Sequence, residues 1–131
     1  MKNISFALTT EKIRQSVANV ALGQRPMKWV TRRLGWRHLK VGERLQACEK
    51  CMGRRHGEPL VKLCVIEVVS VRRERLGDLE DKLNWNDGVD ECYAEGFPAT
   101  RPAQFVAFFC GSHKGCTPDT EITRIEFKYI L

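Results

Sequence analysis

The residues best equipped for chemistry are gathered in the run Lys28-Trp29-Val30-Thr31-Arg32-Arg33-Leu34-Gly35-Trp36-Arg37-His38-Leu39-Lys40, which places five cationic side chains in thirteen residues beside two indoles and a hydroxyl. Cations hold a phosphate and an indole stacks on a base, so the segment reads as a surface for a nucleotide or for RNA. On that reading Arg32, Arg33, Trp36, Arg37 and Lys40 are the contact residues. A packing reading stands beside it, with Trp29 and Trp36 in the core and the arginines solvated, but the density of positive charge exceeds what packing requires.

The cysteines and histidines are the other candidates. Cys48-Glu49-Lys50-Cys51, and Cys110 with Cys116 and His113 between them, invite a zinc reading. Cys48 and Cys51 fall in an expected strand, where a spacing of three sends the thiols to opposite faces, and Cys64 and Cys92 belong to no motif. The expectation is free thiols, with no metal and no cofactor. His38, His56 and His113 show no ligand spacing and read as surface residues. Phe105, Phe108 and Phe109 read as helix core rather than as a stacking platform.

Charge along the chain is segregated. The formal net charge is +6, and between Glu11 and Glu43 there is no acid, while eight basic residues fall there. From Glu74 through Asp87 and Glu91 to Glu95 the balance reverses. One basic and one acidic face are expected, the acidic one simply solvated. The length suits one domain spanning 1–131, and a hydrophobic fraction of 43% with 29% charged residues excludes disordered and fibrous classes. The apolar start Ile4–Leu8 is too short for a signal peptide, and nothing approaches the ~18 apolar residues of a membrane span. A cytoplasmic protein without membrane contact is expected; the oligomeric state is not readable.

The elements that must position these residues follow from periodicity. Ile4–Leu8 predicts a strand, and Thr9-Thr10-Glu11 an N-cap opening a helix with Ile13, Val17, Val20 and Ala21 on its apolar face and Gly23 as its stop. Strands are expected over Lys28–Arg33, Arg44–Met52, Leu60–Arg73 and Glu121–Leu131, the third buried on both faces for part of its length. Leu79–Cys92 reads as loop and short helix, and Thr100-Arg101-Pro102 caps a further helix. Strands at both ends and in the middle, with short helices between, predict a mixed α+β barrel rather than a doubly wound parallel sheet.

Lys28-x-x-Thr31-Arg32-Arg33-x-Gly35-Trp36, then Leu39-Lys40-x-Gly42-Glu43, Glu95-Gly96-Phe97-Pro98 and Thr123-Arg124-Ile125-Glu126-Phe127 together resemble the ASCH domain family, in family order and over nearly the whole chain. One departure is the stretch Ser16–Pro26, which lengthens the connection before Lys28. The resemblance implies a PUA-like β-barrel with a cleft where lysine, threonine and arginine meet a glutamate. Some small members are amidohydrolases that deacetylate N4-acetylcytidine with a lysine, a threonine and a glutamate; by motif position these are Lys28, Thr31 and Glu95, with Arg33 beside them. Other members bind or cleave RNA.

Three readings therefore stand: a domain binding RNA or a nucleotide, an amidohydrolase on an acylated nucleoside, and a ribonuclease. For the second, a threonine hydroxyl needs a base, and a lysine serves only if burial or neighbouring cations keep it neutral. In an ideal strand, residues three apart point to opposite faces, so Lys28 must sit at the strand entrance, where the chain curls.

Overall fold

The computed structural model describes residues 1–81 and 85–131. Five strands, β1 (Lys2–Ser5), β2 (Val30–Arg33), β3 (Arg44–Cys48), β4 (Lys62–Arg75) and β5 (Glu121–Ile130), form one mixed sheet in the order β1-β3-β4-β5-β2. β1 runs parallel to β3 and the other neighbours are antiparallel. Among the described residues four helices, α1 (Thr10–Ala21), α2 (Asp78–Asp81), α3 (Trp85–Ala94) and α4 (Pro102–Ser112), are inserted between strands. Part of the expected loop over Leu79–Cys92 lies outside the described residues. Among the described residues no helix is long and apolar enough to cross a membrane.

The sheet curls into a half-barrel. β1 and β2 are its two edges, yet the Arg33 guanidinium at the end of β2 lies 4.8 Å from the ring centre of Phe6, the residue that follows β1. Among the described residues the two edges are not hydrogen-bonded to each other, so the expected barrel is present as a curled sheet open along one side. Bulges bend it, one between Ala47 and Cys48 and one between Val68 and Ser70. The second inserts Val69 and reverses the alternation: Ile66 and Val68 face the core, Val69 is exposed, and Val71 resumes the inward side. β4 is thus buried mainly on one face at a time, not on both as expected.

β1 stops at Ser5 rather than Leu8 because the chain enters a 3-10 turn at Ala7–Thr9 that runs directly into α1. The expected N-cap bond from Thr9 is therefore absent; the Thr10 hydroxyl instead donates to Phe6 O at 2.7 Å. α1 ends in a Schellman turn, with Gln24 N–H donating to Asn19 O, Gly23 N–H to Val20 O, and Gly23 at φ 74°.

Two cores result. Ile4, Phe6, Ile13, Leu45, Ile66, Val68, Ile125 and Phe127 fill the hollow of the sheet. Leu76, Leu79, Cys92, Phe105, Val106, Phe109 and Ile122 form a second cluster beneath α2–α4. In the last strand Ile125, Phe127 and Tyr129 point inward at the two-residue period of a strand, whereas Leu131 is exposed and Arg124 is buried.

Candidate active site

The opening between the sheet edges is a cleft of about 240 Å³. Ser5–Thr9 lines one side and Lys28, Thr31, Arg32 and Arg33 the other. Glu95 closes the polar end, and Phe97 and α4 roof it.

Glu95 reaches this place through the way α3 terminates. Phe97 N–H donates to Cys92 O and Gly96 N–H to Tyr93 O, a second Schellman turn in which Gly96 adopts φ 95°. In the tetrad Glu95-Gly96-Phe97-Pro98 the glutamate is thus the C-cap, the glycine takes the left-handed position, and the phenylalanine packs against the second core. A carboxylate at a helix C-terminus is electrostatically disfavoured, and Lys28 offsets this. Its Nζ donates to Glu95 O at 2.7 Å and pairs with Glu95 Oε1 at 3.0 Å. The two side chains are only 3% and 4% exposed.

Lys28 sits before β2, in the irregular entrance that residue spacing requires. The lengthened connection is tied down by Ser16, whose buried Oγ accepts from Met27 N–H at 2.8 Å and from Lys28 N–H at 3.2 Å while donating to Lys12 O. Trp29 N–H donates to Ala94 O, and Tyr129 Oη to Lys28 O at 2.6 Å. Burial pulls the Lys28 ammonium below its ordinary pKa; Glu95 opposes this, and Arg33 and Arg32 add to it.

Thr31 is buried on β2, and its Oγ1 accepts from Arg33 Nε at 3.0 Å. Arg33 is half-buried; desolvation pushes its guanidinium down to about 10 against the pull of Glu95, so it remains a cation at neutral pH. Among the described residues no hydrogen bond joins Lys28 Nζ to Thr31 Oγ1 directly.

Arg32 differs from its neighbours. Its side chain is 0% exposed, with Nε on Glu74 at 3.1 Å, Nη1 on Glu95 Oε2 at 2.9 Å and Nη2 on Glu91 at 2.5 Å. Burial disfavours its charge, but Glu95, Glu91 and Glu74 together raise its pKa above the ordinary arginine value. Every nitrogen of this enclosed group is committed to a carboxylate, which sets Arg32 to holding the cluster rather than a phosphate. Register explains the cluster: Arg32, Arg124 and Arg72 lie side by side across β2, β5 and β4, and Glu91 of α3 covers them. The expected solvated acidic face is thus corrected in part: Glu80, Asp81, Asp87 and Asp90 are exposed, whereas Glu74, Glu91 and Glu95 are interior partners of the basic segment.

Trp36, Arg37 and Lys40 do not line the cleft. Gly35 and Trp36 both turn through positive φ, which folds the indole back to pack beside the main core, while Arg37 and Lys40 are exposed. Trp29 packs against Tyr93 with Arg25 over its ring at 4.4 Å. The indoles therefore take their packing role.

The roof was not legible as such. Phe105 and Phe109 belong to the second core, as read from helical spacing, but both also face the cleft, and Phe108 is 52% exposed at its mouth. His113, expected at the surface, is half-buried in the cleft wall, stacked on Phe109 with centroids 4.3 Å apart. Cys48 and Cys51 do not share a strand as expected: β3 ends at Cys48, whose thiol donates to Gln46 O at 3.4 Å, and burial beside Cys51 pushes it up to about 11. Among the described residues no three metal-ligating side chains converge.

No family model and no curated protein matches the chain. The fold is similar to the crystal structure of an ASCH domain from Lactobacillus crispatus JV V101, with a TM-score of 0.57 and 14% identity over 98% of this chain and 77% of that one. The ASCH-type fold expected from the motifs is thereby borne out.

Proposed function

We propose that the chain is an amidohydrolase that removes an acyl group from the exocyclic nitrogen of a nucleobase, with Lys28, Thr31 and Glu95 as its working residues. The observation that carries this reading is that Lys28 and Thr31 line one cleft with Glu95, which lies 67 residues beyond Lys28, and that burial there holds the lysine below its ordinary pKa. Of the residues expected to grip nucleic acid, Arg32 is consumed by carboxylates and Trp36 by the core, which weakens the reading as a binding module alone.

In the reaction, the neutral form of Lys28, which burial favours, takes the Thr31 Oγ proton as the oxygen attacks the acyl carbonyl. Arg33, held beside Thr31 by its bond to Oγ1, turns to the carbonyl oxygen, where the negative charge develops. The C–N bond breaks, and the leaving amine takes the proton back from Lys28. Water then attacks the Thr31 ester, freeing the acid and restoring the hydroxyl. Glu95 receives Lys28 each time it is an ammonium. The direct Lys28–Thr31 contact forms when substrate enters, as catalytic hydrogen bonds commonly tighten only in the complex. Phe97, Phe105 and Phe108 offer the flat apolar surface that a base requires.

Exposed Arg37 and Lys40 support a second role, contact with a phosphate backbone if the base is presented within RNA. The test is incubation with N4-acetylcytidine and, separately, with short labelled RNA. Cytidine release by wild type and none by Thr31→Ala is expected. No release, with salt-sensitive RNA retention by both proteins, would return the protein to the binding class.

A further inference from the structure

The buried charge cluster extends beyond the three residues of the proposed reaction. Glu91 is bracketed by two arginines: its Oε1 and Oε2 receive Arg124 Nε and Nη2 at 2.6 and 3.0 Å, and its Oε1 also receives Arg32 Nη2 at 2.5 Å. Arg32 passes the constraint on, because the same guanidinium holds Glu95 Oε2 while Lys28 holds Glu95 Oε1. An unbroken chain of ion pairs thus runs from β5 through α3 and β2 to the cleft: Arg124, Glu91, Arg32, Glu95, Lys28.

We infer that Glu91 is a positioning residue for the cleft, fixing Arg32 so that one carboxylate oxygen of Glu95 is always occupied and the other is presented to Lys28. Two features of the geometry carry this. Glu91 lies one helical turn before Glu95, so the two carboxylates reach the same side of α3. Arg32 is fully enclosed, so it cannot exchange a lost partner for water. Without Glu91, Arg32 bears more strongly on Glu95 and competes with Lys28 for it.

The consequence for rate rests on the amidohydrolase reading; the electrostatic link to Lys28 does not. Lys28 faces Arg32 and Arg33 from β2, Glu95 from the end of α3 and Tyr129 from β5. Lys12 of α1 packs behind it at Gly96, and His113 of α4 lines the same cleft. Neutralising Glu91 leaves this set one charge more positive and disfavours the Lys28 ammonium, while removing Arg124 acts in the opposite sense.

The experiment follows the side-chain signals of the full chain labelled with 13C-lysine, the Lys28 resonance being assigned by its loss in Lys28→Met. In Glu91→Gln its titration midpoint moves down by roughly half a pH unit or more, and in Arg124→Gln it moves up. In the same variants the acid limb of kcat on N4-acetylcytidine moves with it, to lower pH in Glu91→Gln and to higher pH in Arg124→Gln, with little change in KM. Should Glu91→Gln not fold, Arg124→Gln and the milder Glu91→Asp carry the measurement. A Lys28 midpoint unmoved in a folded variant overturns the positioning role. Absence of turnover in wild type overturns the amidohydrolase reading alone, since the NMR shift is read without it.

Discussion

Lys28 and Glu95 meet twice, the ammonium donating to the backbone carbonyl that ends a helix at 2.7 Å and to the carboxylate of the same residue at 3.0 Å. One lysine thereby satisfies a helix end and neutralises the acid that would otherwise sit badly there. Glu95→Gln keeps the shape but leaves Lys28 and Arg32 with a neutral partner. Loss of one side of a buried pair costs about 3–5 kcal/mol, and urea denaturation of the variant should show a fall of that order.

The pH dependence of stability should carry the mark of Lys28. Its folded pKa lies below 10.5, so in the window between that lowered value and 10.5 the unfolded chain holds more protons than the folded one. Stability contributed by this site therefore rises with pH across that window. Lys28→Met should flatten the rise, and a series of urea midpoints taken up to alkaline pH will read it.

Glu91 acts at the other end of the scale. Burial raises its pKa, but Arg124 and Arg32 win and hold it near 2, against an ordinary 4.5. Its contribution is complete above pH 4.5 and is lost as pH falls from there toward 2, a difference worth roughly 3 kcal/mol. Glu91→Gln should be less stable than wild type at neutral pH by that order, with the gap closing in acid.

Phe108 is half in solvent at the mouth of the cleft. Phe108→Ala should change thermal stability little, since exposed side chains away from the core usually count for about 0.5 kcal/mol or less. Its effect should fall on substrate affinity, seen as a rise in KM with kcat nearly kept.

Gly96 holds φ 95°, and a Cβ there would lie 3.5 Å from both Lys12 Cγ and Lys28 Cβ. Space is available, so the cost of Gly96→Ala is conformational, about 1–2 kcal/mol. Turnover should drop as well, because the turn that aims Glu95 is disturbed.

The sequence was informative where a local rule decides. The helix stop at Gly23, the entrance position of Lys28 and the inward row of β5 follow from backbone preferences and periodicity. Long-range pairing was not visible. Nothing local to Glu74, Glu91 or Arg124 distinguishes a buried ion pair from a solvated charge; it takes the β2–β5–β4 register to align three arginines under α3. A weak signal existed, namely a basic block and a later acidic block of similar size in one small domain. The bulge at Val68/Ser70 and the fold-back of Trp36 were hidden for the same reason, since each is set by partners distant in the chain.

Lys28 and Thr31 should act as one unit, which a double-mutant cycle on N4-acetylcytidine will read. Lys28→Met and Thr31→Ala should each lower kcat on the order of 10²–10⁴-fold, and the double variant should be no worse than the poorer single one. Losses that multiply in the double variant, or a wild type that releases no cytidine, would contradict it.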